Sequence, residues 1–428
     1  MQLKKGILFL LLVVFVEARP HTLTVNELVT IALKHSPDID ISRFDFKTAE
    51  ARSQFAEGFY LPSLNLDVSA GKQQAKFPGQ STFTTDLMTG SLGASQLLYD
   101  FGKTAGRVEG SREDVLAQEA QLQQIISDKI LDVKQSYYAV LKSKSIIDVQ
   151  RKNVKLQEQQ LHRAKKYLLS GIKTIIDVSD AEVQVEQAKL DLQNAEYALE
   201  LERSKLEESL GFIPYEGNYV LYSKKLSLPY VSKKLPQVRT PFSQLESFAY
   251  VHRYVLESSK HIVRSARANV TSQKGDYAPT ISLQGNYNKQ YVDDSVAFSP
   301  ENQGQVAVNM SWNLFSGYQT DASVQEAKIA VLKASSQVKR VKLAIKREVL
   351  DAHISVRRSK KNVELNEKIT IASRKKFDQA QKRYENDLSD YVELQDAQQG
   401  YIQSLSNLVN AYYDYYIALA QLDNAIGK

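Results

Sequence analysis

Residues 174–182 read TIIDVSDAE, and residues 390–398 read DYVELQDAQ. In each stretch an acid is followed, three positions later, by an Asp–Ala dipeptide. The two acidic pairs are Asp177 with Asp180 and Glu393 with Asp396. The second acids of the pairs lie 216 positions apart, and the same offset recurs elsewhere, which indicates an internal repeat.

The repeat extends over most of the chain. The segment NAEY at 194–197 matches NAYY at 410–413, and Gly211 matches Gly427. Each copy has the pattern of a helix, two strands, a very long helix, a break and another helix. The predicted divisions are a first repeat at 19–211, a linker with short strands of its own at 212–240, which we expect to form an equatorial region, and a second repeat at 241–428.

Long helices are indicated by the absence of the two residues that interrupt helices. Neither Gly nor Pro occurs between Ser111 and Ser170 or between Tyr318 and Gln399. Apolar residues there recur at steps of three and four, the spacing of coiled coils. We predict helices at 104–170 and 172–210 in the first copy, and at 318–386 and 388–426 in the second. A helix of that first length would be about 100 Å long at 1.5 Å per residue, which argues against a compact enzyme domain.

Strands are indicated between the helices, where apolar and polar residues alternate with a period of two. The clearest case is QVAVNMSWNLF at 305–315. SLNLDVSAG at 63–71 alternates in the same way. The predicted strands are 62–77, 85–99, 279–292 and 304–315.

Four strands cannot satisfy both edges of their own sheet. A sheet that spans a bilayer must close into a barrel, and known single-chain barrels need at least about eight strands. These strands therefore form either a small soluble sheet or part of a barrel to which several chains contribute. The two-faced strands and the length of the helices favour the second alternative.

The N-terminus has the pattern of a secretory signal peptide over residues 1–18. Lys4 and Lys5 supply a positive start, and the apolar residues Ile7 to Val16 precede small residues at the predicted cleavage site after Ala18. The alternative, a membrane anchor helix, needs about 20 apolar residues.

The chain contains no Cys, which excludes disulfides, thiolate metal sites and lipid attachment through an N-terminal Cys.

Enzyme chemistry is not indicated. The acidic pairs lie on heptad helices rather than in pocket-forming units, the six histidines are scattered, and no Gly-rich phosphate loop is present. We therefore predict no catalytic residues, no metal site and no cofactor. The basic stretch KRVKLAIKR at 339–347 is interpreted as a solvated helix face rather than a nucleic-acid site, since acids interrupt the basic residues that follow.

Several of these features together resemble the TolC-like outer membrane efflux family. The strand pairs end in LYDFG at 98–102 and LFSG at 314–317, and long helices and the repeated D-V-x-D-A-type motif follow. The resemblance covers nearly the whole chain after residue 18. It implies an α+β membrane protein with two structural repeats, in which a homotrimer forms a 12-stranded β-barrel continuous with a 12-helix periplasmic α-barrel.

The resemblance also implies partners and a location. We expect a protein in the outer membrane of a Gram-negative bacterium, surrounded by lipid and extending into the periplasm. A periplasmic adaptor (membrane fusion) protein and an inner-membrane pump or ABC transporter would dock at the far end, and no nucleic acid is involved. In that family the pump selects the cargo, so this sequence is compatible with drug, metal or protein export.

The family's tip residues map onto the acidic pairs. The motif follows Gly171 closely, where one long helix hands over to the next, so we expect a hairpin tip. In a trimer, Asp177, Asp180, Glu393 and Asp396 would ring the periplasmic mouth and raise cation occupancy. The alternative interpretation is a solvated helix start, where carboxylates favour the positive dipole end.

A closing tie at the tip is the second feature that the resemblance implies. Lys173 and Tyr384 match its basic and tyrosine positions, but the second copy has Ser389 where the basic residue is expected. We therefore predict a passive trimeric export duct, gated at its periplasmic tip, in a tripartite efflux or type I secretion system. The alternative function is a non-channel envelope scaffold or adhesin built from coiled coils.

Overall fold

The computed structural model describes residues 22–76, 78, 82–172, 174–214, 219–222, 226, 228–292, 302–386 and 388–428. The predicted signal peptide at 1–18 lies outside the described residues. The chain divides into two compact units. The helical unit comprises residues up to Ser36, Asp128–Arg239 and Ala352–Leu422; the strand unit comprises Pro37–Ser127, Thr240–Asp351 and Asp423–Lys428.

Helices make up most of the described chain. In order they are α1 (Val25–His35), α2 (Pro37–Gly58), α3 (Lys103–Leu169), α4 (Ile175–Leu210), α5 (Phe242–His252), α6 (Tyr254–Lys274), α7 (Gln319–Glu385) and α8 (Tyr391–Ile426). The two longest, α3 and α7, have 67 residues each, and α4 and α8 have 36 each. The equal lengths in the two copies reflect the repeat in the sequence.

The strands form two sheets of unequal size. Short strands β1 (Thr22–Leu23) and β4 (Val220–Leu221) pair in parallel in the helical unit. In the strand unit, β2 (Ser63–Ala75), β3 (Phe83–Tyr99), β5 (Thr280–Val292) and β6 (Asn302–Ser311) form an antiparallel sheet in the order β2-β3-β5-β6. The central pair, β3 with β5, joins the two copies of the repeat.

The last strand ends earlier than the sequence pattern indicates. Alternation continues to Phe315, but β6 stops at Ser311, which pairs with Thr280, the first residue of β5. Beyond that pair β6 has no neighbouring strand to bond with in the described sheet. Trp312 instead turns its indole N–H to the carbonyl oxygen of Tyr277, at 3.0 Å.

The four-stranded sheet has one apolar face and one polar face, because residues paired across strands point to the same side. The apolar face carries Leu64, Leu66, Val68, Leu92, Leu283, Val306, Val308 and Met310. The polar face carries Asn65, Asp67, Ser91, Ser95, Gln284, Asn286, Gln305 and Asn309. Leu66 is 72% exposed and Val306 is 77% exposed, so no described part of the chain covers the apolar side.

Each strand pair turns into its long helix through a left-handed corner. The corner holds Phe101 and Gly102 in the first copy, at φ of 53° and 93°, and Gly317 and Tyr318 in the second, at 62° and 66°. Asp100 Oδ2 accepts a hydrogen bond from the Thr104 backbone N–H at 2.7 Å, which satisfies a free donor at the start of α3. The matched Ser316 hydroxyl does the same for Thr320 at 3.4 Å.

The region before each strand pair contains two helices, whereas the sequence pattern indicated one. α1 ends because Pro37 disfavours helical geometry at the preceding residue, and Ser36 is extended there (φ −73°, ψ 119°). α5 and α6 are separated by extended Arg253, whose side chain is buried. Its guanidinium donates to the Ala425 carbonyl oxygen at 3.0 Å and pairs with Glu348 at 2.9 Å.

A glycine closes each copy against the end of that copy's first helix. Gly211 has φ of 80°, and a Cβ there would lie 2.2 Å from the His35 carbonyl oxygen. Gly427 has φ of 83°, and a Cβ there would lie 2.8 Å from the His252 carbonyl oxygen. Both the left-handed backbone and the close approach require glycine, which explains why this residue is present at the matched position in both copies.

The core of the helical unit is formed by one face of each long helix together with the buried side of α1. Its fully buried members include Leu28, Val133, Leu206, Leu210, Leu394 and Val409. The linker is fixed to this core by Glu367, whose carboxylate accepts hydrogen bonds from the backbone N–H groups of Val231 (2.9 Å) and Ser232 (2.7 Å). The linker contains β4 and a short 3-10 helix at Ser232–Lys234.

Candidate functional site

The two acidic motifs begin the helices that follow the two tight helix turns of the helical unit. In the first turn Gly171 is left-handed (φ 71°), and the backbone N–H of Ile172 bonds the Tyr167 carbonyl oxygen at 2.9 Å. In the second turn the backbone N–H of Leu388 bonds the Arg383 carbonyl oxygen at 2.8 Å. Both turns therefore end one long helix by the same bond pattern and lead directly into the next helix.

Asp177 is part of the helix start itself. Its Oδ2 accepts hydrogen bonds from the Thr174 backbone N–H and from the Thr174 hydroxyl, at 2.9 Å each. Thr174 is the residue that begins α4, so this is the reciprocal contact of a capping box. In the second copy the contact runs the other way. Asp390 stands at the position that matches Thr174, and its Oδ1 accepts a hydrogen bond from the Glu393 backbone N–H at 2.8 Å.

The other three acids of the motifs are exposed. Glu393 lies 3.4 Å from the Arg383 guanidinium, and Asp396 lies 2.7 Å from the Lys376 ammonium. Asp180 is exposed at the matching position of α4, near Tyr391. The second copy's acids are thus partly balanced by bases on α7, a feature that the acidic motif alone did not reveal.

Tyr384 lies in the core of the turn region rather than on its surface. It is 2% exposed, and its ring packs edge-on between Tyr167 and Tyr391, with centroid distances of 6.2 and 6.1 Å. Burial in this aromatic cluster, followed by the neighbouring Tyr384 and Asp180, raises the pKa of Tyr391 to about 12. Lys173, the basic residue predicted for the closing tie, lies outside the described residues.

Small buried residues explain the second half of the motif. Ala181 and Ala397 follow Asp180 and Asp396 directly and are 0% and 1% exposed. The dipeptide therefore places an acid at the surface and a methyl group against the core in both copies.

Three residues of this site were not predicted from the sequence: Tyr391, Arg383 and Lys376. Only Tyr391 had a signal that could have identified it, namely its position in the apolar heptad.

The site provides exposed carboxylates on helix surfaces and no enclosed catalytic pocket among the residues that surround it. Exposed acids attract cations and repel anions without binding either tightly, because water screens each charge. No described helix combines the length and the apolar character needed to cross a membrane. The turns can therefore attract cations and repel anions at the surface, and we call their exposed acids, Asp180, Glu393 and Asp396, the acidic rim.

Comparison with known sequences identifies a matching family model, described as outer membrane efflux protein, at residues 28–212 and 249–428. The outer membrane protein TolC of Vibrio cholerae is 24% identical over 375 residues, which cover 86% of this chain and 82% of that protein. The cation efflux system protein CusC of Escherichia coli K12 is 22% identical over 419 residues, covering 94% of this chain and 86% of that protein.

Solved structures share the fold at low sequence identity. A structure from a study of folding and transmembrane channel formation in CusC superposes with a TM-score of 0.83 at 19% identity, covering 94% of this chain and 92% of that one. The outer-membrane channel OprN superposes with a TM-score of 0.80 at 18% identity, covering 94% and 89%. The two stretches that the family model matches overlap the two predicted copies of the repeat.

Proposed function

The chain belongs to the outer membrane efflux protein family, and from that membership we propose that three copies form a passive export duct gated at the helix turns. As a member of the family it is an efflux channel protein of the outer membrane of Gram-negative bacteria. The trimer, the closed barrel, the gate and the partners are our proposals. The observation that carries the trimer and the barrel is the four-stranded sheet with an exposed apolar face.

The edges of the sheet support assembly with further copies. β2 and β6 are the two edge strands, and each offers backbone groups to a neighbour. Neighbouring strands of this sheet run in opposite directions, so the first strand, β2, and the fourth, β6, are also opposite in direction. When β6 of one copy lies beside β2 of the next copy, the two strands are therefore antiparallel. Three copies give twelve antiparallel strands, an even number within the range of known outer membrane barrels.

The two faces of the sheet suit a barrel in lipid. Leu64, Leu66, Val306 and Val308 would face the hydrocarbon, where unpaired charges are costly. Asn65, Gln284, Asn286 and Asn309 would line a wet bore, and Asn309 already donates to the Gln284 side chain across neighbouring strands. The only acid described on the middle of the polar face is Asp67, so this bore is nearly neutral.

The acidic rim supports a gate at the helix turns. Asp180, Glu393 and Asp396 are exposed, and three copies would supply nine such carboxylates to one mouth. We place the docking of a periplasmic adaptor and an inner-membrane pump or ABC transporter at this end. Movement of the helix ends relative to one another would widen the mouth and let cargo pass.

The test is reconstitution of the purified protein in planar bilayers with its oligomeric state measured in detergent. We expect a trimer that forms cation-selective pores. Replacing Asp177, Asp180, Glu393 and Asp396 together with Ala should reduce cation selectivity and change conductance. A monomer that forms no pores would contradict the duct and favour an envelope scaffold; a pore with unchanged selectivity would contradict only the role of the acids.

A further inference from the structure

Two helices of the helical unit, α4 and α7, present outward faces that carry apolar side chains. Polar contacts between neighbouring helices give the order α4, α3, α8, α7. The ion pair of Lys165 with Glu182 joins α3 to α4 at 2.9 Å. The hydrogen bond from Lys152 to the Tyr401 hydroxyl joins α3 to α8 at 2.8 Å, and the one from the Thr370 hydroxyl to the Ser404 carbonyl oxygen joins α7 to α8 at 3.0 Å. α4 and α7 are therefore the outer helices of this group, apart from the contact of α7 with α3 beside the turns.

The outward face of α4 has a heptad pattern opposite its buried face. The buried side contains Ala181, Val185 and Ala188. The outward apolar residues are spaced by seven and are between 53% and 66% exposed: Ile176, Val183, Leu190 and Tyr197. Such a regular exposed stripe is expected where a second helix packs against the first. We call it the α4 stripe.

Three exposed acids lie beside the α4 stripe: Asp180, Glu186 and Glu200. Glu186 is 71% exposed and pairs with Lys189 of the same helix at 2.8 Å. Exposed pairs within one helix contribute little and exchange readily, so this one does not prevent a contact with another helix.

The outward face of α7 carries bases at the same period. Four exposed lysines are spaced by seven: Lys361, Lys368, Lys375 and Lys382. Beside them lies Leu365, which is 46% exposed, while the opposite side of α7 buries Val363 and Phe377. Lys361 pairs with Glu364 of its own helix at 3.2 Å and is 64% exposed. We call this row of lysines the α7 stripe.

The two helices carry opposite net charge. α4 has ten acids and three bases, a formal charge of −7. The part of α7 in the helical unit, Ala352–Glu385, has ten bases and four acids, a formal charge of +6. Charged positions that flank an apolar seam set the choice and orientation of a partner helix.

The positions of the charges also match in register. Asp180, Glu186 and Glu200 lie 5, 11 and 25 residues after the first residue of α4. Lys382, Lys375 and Lys361 lie 3, 10 and 24 residues before the last residue of α7. α4 leads away from a helix turn and α7 leads toward one, so the two helices are antiparallel when their turns lie at the same level. Each acid of α4 then lies at the level of one lysine of α7, and the two levels differ by at most about 3 Å along the helix axis at 1.5 Å per residue.

We propose that the α4 stripe of one copy packs against the α7 stripe of the next copy, in the register Asp180–Lys382, Glu186–Lys375 and Glu200–Lys361. This heterologous contact uses one edge of each copy and leaves the other edge for the following copy, which is how rings close. The inference rests on the proposed trimer and goes beyond it, because it names the faces and the register. A second copy is the occupant because one chain carries both complementary stripes.

Site-directed cross-linking tests the register, and the natural chain contains no Cys that would interfere. In one variant Glu186→Cys is combined with Lys375→Cys, and in another Glu200→Cys is combined with Lys361→Cys. A short bismaleimide should convert both into covalent trimers on denaturing gels. The matched control combines Glu186→Cys with Lys361→Cys, whose levels differ by about 20 Å at 1.5 Å per residue, and should give severalfold less product.

Each outcome of the cross-linking experiment supports the seam or contradicts it. Equal cross-linking of the control, products within one chain only, or products with a protein of another size would overturn the seam. The native oligomer is measured in parallel by light scattering in detergent. A trimer without matched cross-links contradicts the seam and leaves the duct standing, whereas a monomer contradicts the proposed function itself.

A charge exchange provides the second measurement. Glu186→Lys with Glu200→Lys places like charges across the seam and should lower the fraction of trimer severalfold. Lys361→Glu with Lys375→Glu should do the same, and combining all four substitutions should restore the trimer. Failure of the fourfold variant to recover, when it retains the helical circular dichroism of the natural chain, would contradict the proposed pairing.

Discussion

Asp177 binds Thr174 twice: its Oδ2 accepts hydrogen bonds from both the backbone N–H and the hydroxyl, at 2.9 Å each. Its carboxylate is thus committed to the start of α4, whereas Asp180, three residues further, is exposed. The two acids of one motif therefore have different parts. Asp177 stabilises the helix start next to the turn, whereas the exposed charge of Asp180 is available to groups outside its own helix, such as Lys382 of the next copy in the proposed seam.

The first prediction separates these two parts. Asp177→Ala should destabilise the first turn of α4 by about 1 kcal/mol, because two donors of Thr174 lose their acceptor. Hydrogen exchange of the amides at 174–178 should then accelerate about fivefold. Asp180→Ala is the matched control and should leave that exchange unchanged; equal acceleration in both variants would show that Asp177 has no special part in the cap.

The second prediction concerns the bases that balance the acids of the second copy. Lys376→Gln removes the ammonium that lies 2.7 Å from Asp396, so each copy presents one more uncompensated carboxylate. The ratio of potassium to chloride permeability in planar bilayers should rise. Arg374→Gln removes an equal charge that faces Asp378 instead, at 3.8 Å, and should change the ratio less. Equal effects would mean that net charge, not the position of Asp396, decides selectivity.

The third prediction follows from the buried phenol of Tyr391, whose pKa is raised to about 12 chiefly by burial. The unfolded phenol ionises near 10, so the folded turn holds its proton more tightly. The stability that depends on this proton is complete below pH 10 and declines as the pH rises toward 12. Hydrogen exchange in the turn between α7 and α8, corrected for the intrinsic rate, should show this loss. Tyr391→Phe should lessen it, and an identical decline in that variant would assign the effect to other groups.

Much of the fold could be predicted because its determinants are local. The absence of Gly and Pro, together with heptad spacing, locates α3 and α7 to within one residue of the predicted bounds at each end. Period-two alternation locates the sheet, and the offset of 216 relates the two copies. The break between α1 and α2 at Ser36 could also have been predicted, because Pro37 disfavours helical geometry at the residue before it.

Other features depend on contacts that a sequence does not contain. Arg253 separates α5 from α6 without Gly or Pro, because its extended backbone sends a buried side chain to Glu348 and Ala425. β6 ends at Ser311 because β5 begins opposite that residue. In the candidate site, the acids were found from their repetition, but the bases Arg383 and Lys376 are 10 and 20 residues away along the chain.

The fourth prediction concerns the attachment of the linker. Glu367→Ala leaves the backbone N–H groups of Val231 and Ser232 without their acceptor, and each lost bond costs on the order of 1 kcal/mol or more. Limited proteolysis should cut the linker severalfold faster than in the natural chain. Asp378→Ala removes an exposed acid of the same helix, which faces Arg374, and should not affect cleavage. Unchanged cleavage in Glu367→Ala would show that the linker is held elsewhere.

The fifth prediction uses two adjacent residues with opposite surroundings. Leu66 lies on the apolar face of the sheet and Asn65 on the polar face. In a barrel, Leu66→Arg would place a charge against lipid, at a cost of about 2–4 kcal/mol per copy near the middle of the bilayer, whereas Asn65→Arg would place the same charge in the wet bore. Membrane fractionation should therefore show that Leu66→Arg lowers the amount of assembled protein several times more than Asn65→Arg does. Because one step along a strand reverses its face, equal losses, or a greater loss for Asn65→Arg, would mean that the apolar side does not face lipid.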